Sequence, residues 1–274
     1  MLPLTECERS GTQMAEPLRF DDGAAYERMM GIWSRIVGDT FLSWLSPKPG
    51  LSWVDVGCGN GAFTEEIVQR CAPKDVRGVD PSEGQLAFAR TRPGAHLAQF
   101  QQGDAMNLPF QDGNFDVAVM ALVLFFVPEP AKGVAEMARV VKPGGIVSAY
   151  AWDMLGGGFP QEPIFQELRA MGHAVTGPPH PEASQISAMQ ELWKDAGITE
   201  IETRVIRAER SYESFDEFWS TLKGSPSLNA STTKMSREQA DELKDRVRKR
   251  LPAASDGTLT MQAWANAVKG RVRS

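Results

Sequence analysis

Val54-Asp55-Val56-Gly57-Cys58-Gly59-Asn60-Gly61-Ala62-Phe63-Thr64 decides how this chain is read. A strand-length apolar run, Ser52–Val56, feeds three glycines at alternate positions, and a helical pattern, Ala62–Cys71, follows at once. Glycines in that place let the backbone turn tightly and let a ligand lie against bare peptide. The helix start beyond them offers amide donors. Asp55, at the strand end, can orient the loop or receive a cationic group. The fragment alone leaves the ligand open, because Gly57, Gly59 and Ala62 also satisfy the dinucleotide pattern G-x-G-x-x-G/A. A carboxylate directly before the glycines repels a pyrophosphate and suits an ammonium-bearing ligand better.

Outward from this stretch, strand-length runs alternate with helical patterns. The strands are Ser52–Val56, Asp75–Val79, Ala98–Gln102, Phe115–Ala121 and Ile146–Ala151; the helices are about Ala62–Cys71, Gly84–Arg90 and Ala131–Val140. That alternation predicts βαβ units and a parallel sheet. Val117–Val123 is apolar without alternation, as a strand covered by helices on both faces requires. Thr199–Arg207 and Thr258–Val268 read as late strands able to pair antiparallel. Further helices are expected at Ser187–Ala196, Phe215–Leu222 and Ser236–Leu251. Upstream, Tyr26, Met29, Met30, Trp33, Ile36 and Val37 fall three and four apart, which predicts a helix within Asp21–Leu45, with Asp22 able to cap it. The expected fold is therefore α/β: a Rossmann-like, doubly wound, mostly parallel seven-stranded sheet with the last strand antiparallel, plus N-terminal helices and a helical insertion or lid. Residues 1–20 read as a loose leader, 21–50 as a helical lid and 51–153 as the ligand-binding core. Residues 154–274 read as an acceptor-site cap with inserted helices and the last strands.

Composition bounds the function. The 274 residues carry a formal net charge of −6, with 42% hydrophobic and 23% charged residues. These values describe a globular chain and disfavour one whose main task is wrapping nucleic acid. The basic stretch Lys244–Arg250 reads as the solvated face of a helix rather than a phosphate patch. The longest apolar run, Val117–Val127, is too short to cross a bilayer. Three cysteines, Cys7, Cys58 and Cys71, make neither a disulfide framework nor a metal set, so no metal and a cytoplasmic setting are expected.

Two further carboxylates end neighbouring strands. Asp80 lies 23 positions beyond Gly57 and can accept hydrogen bonds from both hydroxyls of a ribose; with Pro81 and Ser82 it can also cap a helix. Asp104, in Gly103-Asp-Ala-Met-Asn-Leu-Pro-Phe110, can accept from an exocyclic amine or make an Asx turn. Three such signals at the carboxyl ends of successive parallel strands converge on one crevice, where open α/β sheets bind ligands.

Taken together, VDVGCGNGAFT, GVDPS, GDAMNLPF, FDVAVMALVLFFV and RVVKPGG resemble the class I S-adenosylmethionine-dependent methyltransferases. The resemblance is strongest to the small-molecule branch of the ubiquinone/menaquinone-biosynthesis type, and it covers about Trp53–Ala151. The helix Tyr26–Arg35 also resembles the one that closes over the cofactor in that branch. The resemblance implies S-adenosyl-L-methionine as cofactor, S-adenosyl-L-homocysteine as product and methyl transfer to a small, fairly apolar metabolite. It would place Asp55, Gly57, Cys58, Gly59 and Gly61 at the methionine moiety. Asp80, Pro81 and Ser82 would lie at the ribose, and Asp104, Ala105 and Met106 at the adenine. Ala121 and Leu122 would border the sulfonium, and Tyr26, Trp33 and Arg35 would reach in from the lid; for Tyr26 and Trp33 the amphipathic-helix core is an equal alternative.

Methyl transfer from a sulfonium is an in-line displacement that needs mainly alignment and desolvation. Many acceptor sites in the related branch carry a His near Leu124–Val127. This chain has Phe125 and Phe126 there, which with Trp152 suggests an apolar acceptor pocket. Candidate bases are His173, His180 and Tyr150, with a surface-loop place the favoured reading of the two histidines; Cys58 reads as a small loop filler. The expected partner is a small-molecule acceptor, with no nucleic acid or membrane, and the chain is expected to be a monomer or homodimer. Two other readings stand beside this one. A NAD(P)-dependent oxidoreductase would need a Tyr-x-x-x-Lys pair, which is absent. A non-catalytic S-adenosylmethionine-binding protein would show the same cofactor motif.

Overall fold

The computed structural model describes residues 23–222, 225–233 and 235–273. The expected leader and Asp22 lie outside them. Helix α1 (Gly23–Leu45) leads into strand β1 (Ser52–Val56), helix α2 (Ala62–Cys71), β2 (Asp75–Asp80), α3 (Glu83–Ala89), β3 (Ala98–Gln102) and β4 (Phe115–Ala121). Then come a 3-10 turn at Leu124–Phe126, α4 (Pro130–Val140), β5 (Val141–Trp152) and α5 (Glu162–Ala170). A second 3-10 turn at Pro181–Ser184 precedes α6 (Ile186–Asp195), β6 (Ile198–Tyr212), α7 (Phe215–Thr221), α8 (Pro226–Thr232), α9 (Arg237–Arg250) and β7 (Leu259–Val272).

The strands form one sheet in the order β3-β2-β1-β4-β5-β7-β6. β1 pairs parallel with β2 and β4, β2 with β3, and β4 with β5. β7 enters antiparallel between β5 and β6. The sheet is thus mostly parallel and seven-stranded, with its last strand reversed, as the sequence pattern leads one to expect. β1 is buried along its whole length and Val117–Met120 of β4 are fully buried, because helices cover both faces. Glycine at position 61, with φ of 76°, is the left-handed residue from which α2 starts. Ser82 caps α3 by accepting the Gln85 N–H, and α9 opens with a capping box between Ser236 and Gln239.

The region after Asp153 is punctuated in the sequence by Gly156–Gly158 and Gly177-Pro-Pro, yet it is held by local ties. Asp153 Oδ1 accepts the Gly156 N–H at 2.8 Å and Oδ2 accepts the Trp264 indole N–H at 3.1 Å, so this loop is tied to β7. The helix α5 follows, burying Ile164, Phe165 and Leu168. It has only 9 residues, set between Gly156–Gly158 and the Gly177-Pro-Pro stretch, and so lacks a long periodic signal. The basic stretch of α9 is consumed by ion pairs. Arg246 and Arg250 grip the buried Glu167 of α5, and Lys244 and Arg248 meet Asp216. The two arginines hold the Glu167 carboxyl below its usual range. No helix among the described residues is long and apolar enough to cross a membrane, and no described cluster of His, Cys, Asp and Glu could hold a metal ion.

Candidate functional site

A cavity of about 550 Å³ opens at the carboxyl ends of β1 to β4, beneath α1. This size suits a nucleoside-scale ligand. Its walls divide chemically. Gly57, Cys58, Gly59, Asp80, Pro81, Ser82, Asp104 and Ala105 come from the loops after β1, β2 and β3, while Ala121, Leu122, Val123, Phe126, Val127 and Pro128 come from the end of β4 and the turn after it. Among the described residues, no Lys or Arg lines it.

The glycine loop is locked to β2 by backbone and carboxylate together. Gly57 and Cys58 donate their N–H groups to Val79 O at 2.7 and 3.0 Å. Asp80 accepts the Gly59 N–H on Oδ2 and the Ser82 N–H on Oδ1, each at 2.9 Å. A carboxylate has about four acceptor sites, so two remain for a ligand's hydroxyls. A Cβ on Gly57 would fall 2.5 Å from Val123, whereas one on Gly59 would meet nothing within 4 Å. The loop is therefore packed against Val123 at Gly57 and has open space at Gly59.

Asp55 stands behind the loop rather than in the cavity wall. It is fully buried, its Oδ2 accepts the Thr64 hydroxyl at 2.6 Å, and its Oδ1 has no partner. Burial pushes its carboxyl up to about 7; the Thr64 bond pulls the other way and the Asp80 charge adds to the rise. Burial likewise raises Asp80, against the pull of the Ser82 and Gly59 amides. Cys58 is pushed well above the usual thiol range by burial and then by Asp55 and Asp80, so it stays a neutral thiol and not a nucleophile. Asp104 makes the Asx turn, accepting the Met106 N–H on Oδ1 at 2.8 Å, and also lines the cavity.

Several residues singled out in the sequence lie elsewhere. Gly61 packs against α3, where a Cβ would come 2.9 Å from Ala89. Met106 contributes its amide to the Asp104 turn and is not in the wall. Trp33 is buried and donates its indole N–H to the Tyr212 hydroxyl at 3.2 Å, while Arg35 is exposed. Tyr26 lies in α1, but its side chain is outside the described residues. Phe125 and Trp152 are core, 3% and 2% exposed. Neither histidine reaches the cavity: His173 follows α5 with its N–H on Leu168 O, and His180 pairs with Glu182. Of the three candidate bases only Tyr150 lines the wall, its ring between Phe41 and Phe63. The sequence reading missed Ser34, Asn60, Gln85, Val123, Val127 and Pro128. It also missed the left-handed backbone of Leu122, with φ of 62°, a strained conformation at the cavity wall.

A methyltransferase-domain family model matches residues 54–149. A demethylmenaquinone methyltransferase of Desulfitobacterium hafniense is 41% identical over 105 residues, covering 36% of this chain and 42% of that enzyme. One from Bacillus cytotoxicus is 31% identical over 176 residues, covering 57% of this chain and 73% of that enzyme. Among solved structures, phosphoethanolamine N-methyltransferase 2 of Haemonchus contortus in complex with S-adenosyl-L-methionine superposes with a TM-score of 0.55. That match is 17% identical and covers 91% of this chain and 56% of that one, a likeness of fold.

The strand order, the glycine loop and the carboxylates at the ends of β2 and β3 define a class I, Rossmann-like methyltransferase architecture. The chain belongs to the S-adenosylmethionine-dependent methyltransferases of the menaquinone/ubiquinone-biosynthesis type. The cavity fits that family's cofactor. Open space at Gly59, two carboxylates in the wall and apolar residues from the turn after β4 suit a nucleoside joined to a charged amino-acid tail. A pyrophosphate would meet Asp80 and Asp104 with no wall cation among the described residues to offset it, so a dinucleotide is disfavoured.

Proposed function

We propose that this chain methylates a small, apolar, quinone-type ring by in-line displacement, with alignment and desolvation supplying most of the rate. S-adenosylmethionine supplies, when bound, a methyl group already activated on a sulfonium. The Gly57–Gly59 backbone would carry its amino-acid tail, Asp80 its ribose and Asp104 with Ala105 its base. Ala121 and Leu122, at the end of β4, would border the sulfur. Val123, Phe126, Val127 and Pro128 then exclude water from the transfer line and offer an apolar bed to a flat acceptor. Tyr150 is the one titratable side chain from the proposed bases in this wall, which suits an acceptor that needs little help in losing a proton. The relatives named demethylmenaquinone methyltransferases support a ring of the quinone type.

The observation that carries this reading is that one cavity is lined by glycines and carboxylates from the loops after β1 to β3 and by apolar residues from the end of β4 and the turn after it. The test is incubation with a methyl-tritiated donor and a panel of demethylated naphthoquinols and benzoquinols, followed by solvent extraction. Label in the organic phase with a quinol, and none with polar amines, supports the proposal; label only in polar products overturns the acceptor class.

A further inference from the structure

Resting on the methyl-donor reading, we propose that Ser34 is a cofactor-binding residue whose hydroxyl reads the carboxylate of the amino-acid tail. Ser34 lines the cavity from α1, and its Oγ is buried with no hydrogen-bond partner in the chain. A helical serine ordinarily satisfies its hydroxyl on a backbone carbonyl one turn earlier or in water, so a buried hydroxyl left unpaired at a cavity wall is a group awaiting a partner.

The packing of α1 on α2 says which partner. The two helices run side by side in the same direction. Arg70, late in α2, donates to Asp39 O at 2.8 Å and to Ser43 Oγ at 3.2 Å. Earlier along both helices, a Cβ on Gly38 would lie 3.1 Å from the Phe63 ring. Ser34 is one further turn back, which sets it beside the first turn of α2, where Asn60, Ala62 and Phe63 share the cavity wall with it. Gly61, the residue before α2, has no side chain to cap that turn, and the Ala62 N–H is taken locally by Asn60 Oδ1 at 3.2 Å. The start of a helix carries unpaired amide donors and a partial positive charge. A hydroxyl donor added there completes a seat for a carboxylate.

Ser34→Ala tests this by isothermal titration with two probes. One is S-adenosylhomocysteine. The other is its decarboxylated analogue, an adenosine thioether that keeps the ammonium and lacks the carboxylate. Loss of a hydrogen bond to a charged group predicts about tenfold weaker binding of S-adenosylhomocysteine by Ser34→Ala. Binding of the analogue is unchanged, and Ser34→Thr, which keeps the hydroxyl, binds both as wild type does. Alanine is a strong helix former, so the variant folds, and its melting temperature verifies that. Equal weakening for both probes, or unchanged affinity for both, overturns the assignment to Ser34. A wild-type protein that binds neither probe overturns the methyl-donor reading itself.

Discussion

Asp80 Oδ2 accepts the backbone N–H of Gly59 at 2.9 Å, so the carboxylate at the tip of β2 holds the glycine loop at the tip of β1. Its other oxygen holds Ser82, the cap of α3. One side chain therefore sets the spacing of two loops that face the same cavity. Asp80→Asn puts an amide donor against one of these two N–H groups. It is expected to weaken S-adenosylhomocysteine binding by about tenfold or more and to lower the melting temperature modestly. Calorimetric titration measures the first effect, and wild-type affinity contradicts the proposed grip.

Gly57 and Gly59 both have positive φ, 76° and 52°, yet their substitution should separate stability from binding. Gly57→Ala drives a Cβ into Val123 and is expected to cost about 1–3 kcal/mol of stability. Gly59→Ala meets no atom within 4 Å and pays only backbone strain, about 1–2 kcal/mol, but its methyl enters the ligand's space. Gly59→Val is expected to abolish most cofactor affinity. Melting curves and titration on the three variants decide the matter, and a Gly59→Ala variant that binds normally refutes it.

Asp55 gives the fold a pH dependence. Burial raises its carboxyl from an ordinary 3.8 to about 7, so the folded chain binds this proton where the unfolded chain has released it. Stability from this group is full below about 4 and is lost as pH rises to about 7. Asp55→Asn removes the titration. The melting temperature of wild type relative to Asp55→Asn should fall between pH 5 and pH 8, and a constant difference over that interval contradicts a raised Asp55.

The legible parts of this molecule were those with local causes. The runs Ser52–Val56 and Val117–Met120 announce buried strands by composition, and the glycine loop announces a crevice by its spacing. Asp80 and Asp104 are legible because each ends a strand whose neighbour is already placed. What escaped depends on packing. Trp33, Ser34 and Arg35 are adjacent in one helix, and only the rotation of α1 fixed by Gly38 on Phe63 decides that Ser34 faces the cavity. Phe125 and Phe126 look alike in sequence, but the 3-10 turn at Leu124–Phe126 sends one into the core and the other to the wall. His180 is spent on Glu182 at a turn that apolar periodicity does not mark.

The contact between Trp33 and Tyr212 joins residues 179 positions apart and ties α1 to the end of β6. Tyr212 is further packed by Phe218 and by the Arg210 guanidinium over its ring. Tyr212→Phe keeps that packing and removes the hydroxyl that accepts from the Trp33 indole and also meets the Thr221 side chain. A buried N–H left unpaired costs about 1–3 kcal/mol, and the loss is local to α1. Hydrogen exchange should quicken in α1 well before it changes in β1 or β4; uniform protection across α1 in the variant refutes the tie.

Phe125 and Phe126 provide the sharpest test of where the acceptor lies. Their rings meet edge to face at 4.7 Å, yet Phe125 is 3% exposed and outside the cavity wall, while Phe126 is part of it. Phe125→Ala opens a hole in the core and is expected to lose about 3–5 kcal/mol of stability, with any activity loss following the folded fraction. Phe126→Ala is expected to keep most of the stability and the affinity for S-adenosylhomocysteine. It should raise the acceptor KM or lower turnover, because the apolar bed that excludes water is breached. Parallel melting, titration and methyl-transfer assays on the two variants separate these outcomes. A Phe126→Ala variant that loses cofactor affinity while its acceptor kinetics stay intact would move Phe126 to the donor side and leave the acceptor pocket without its floor.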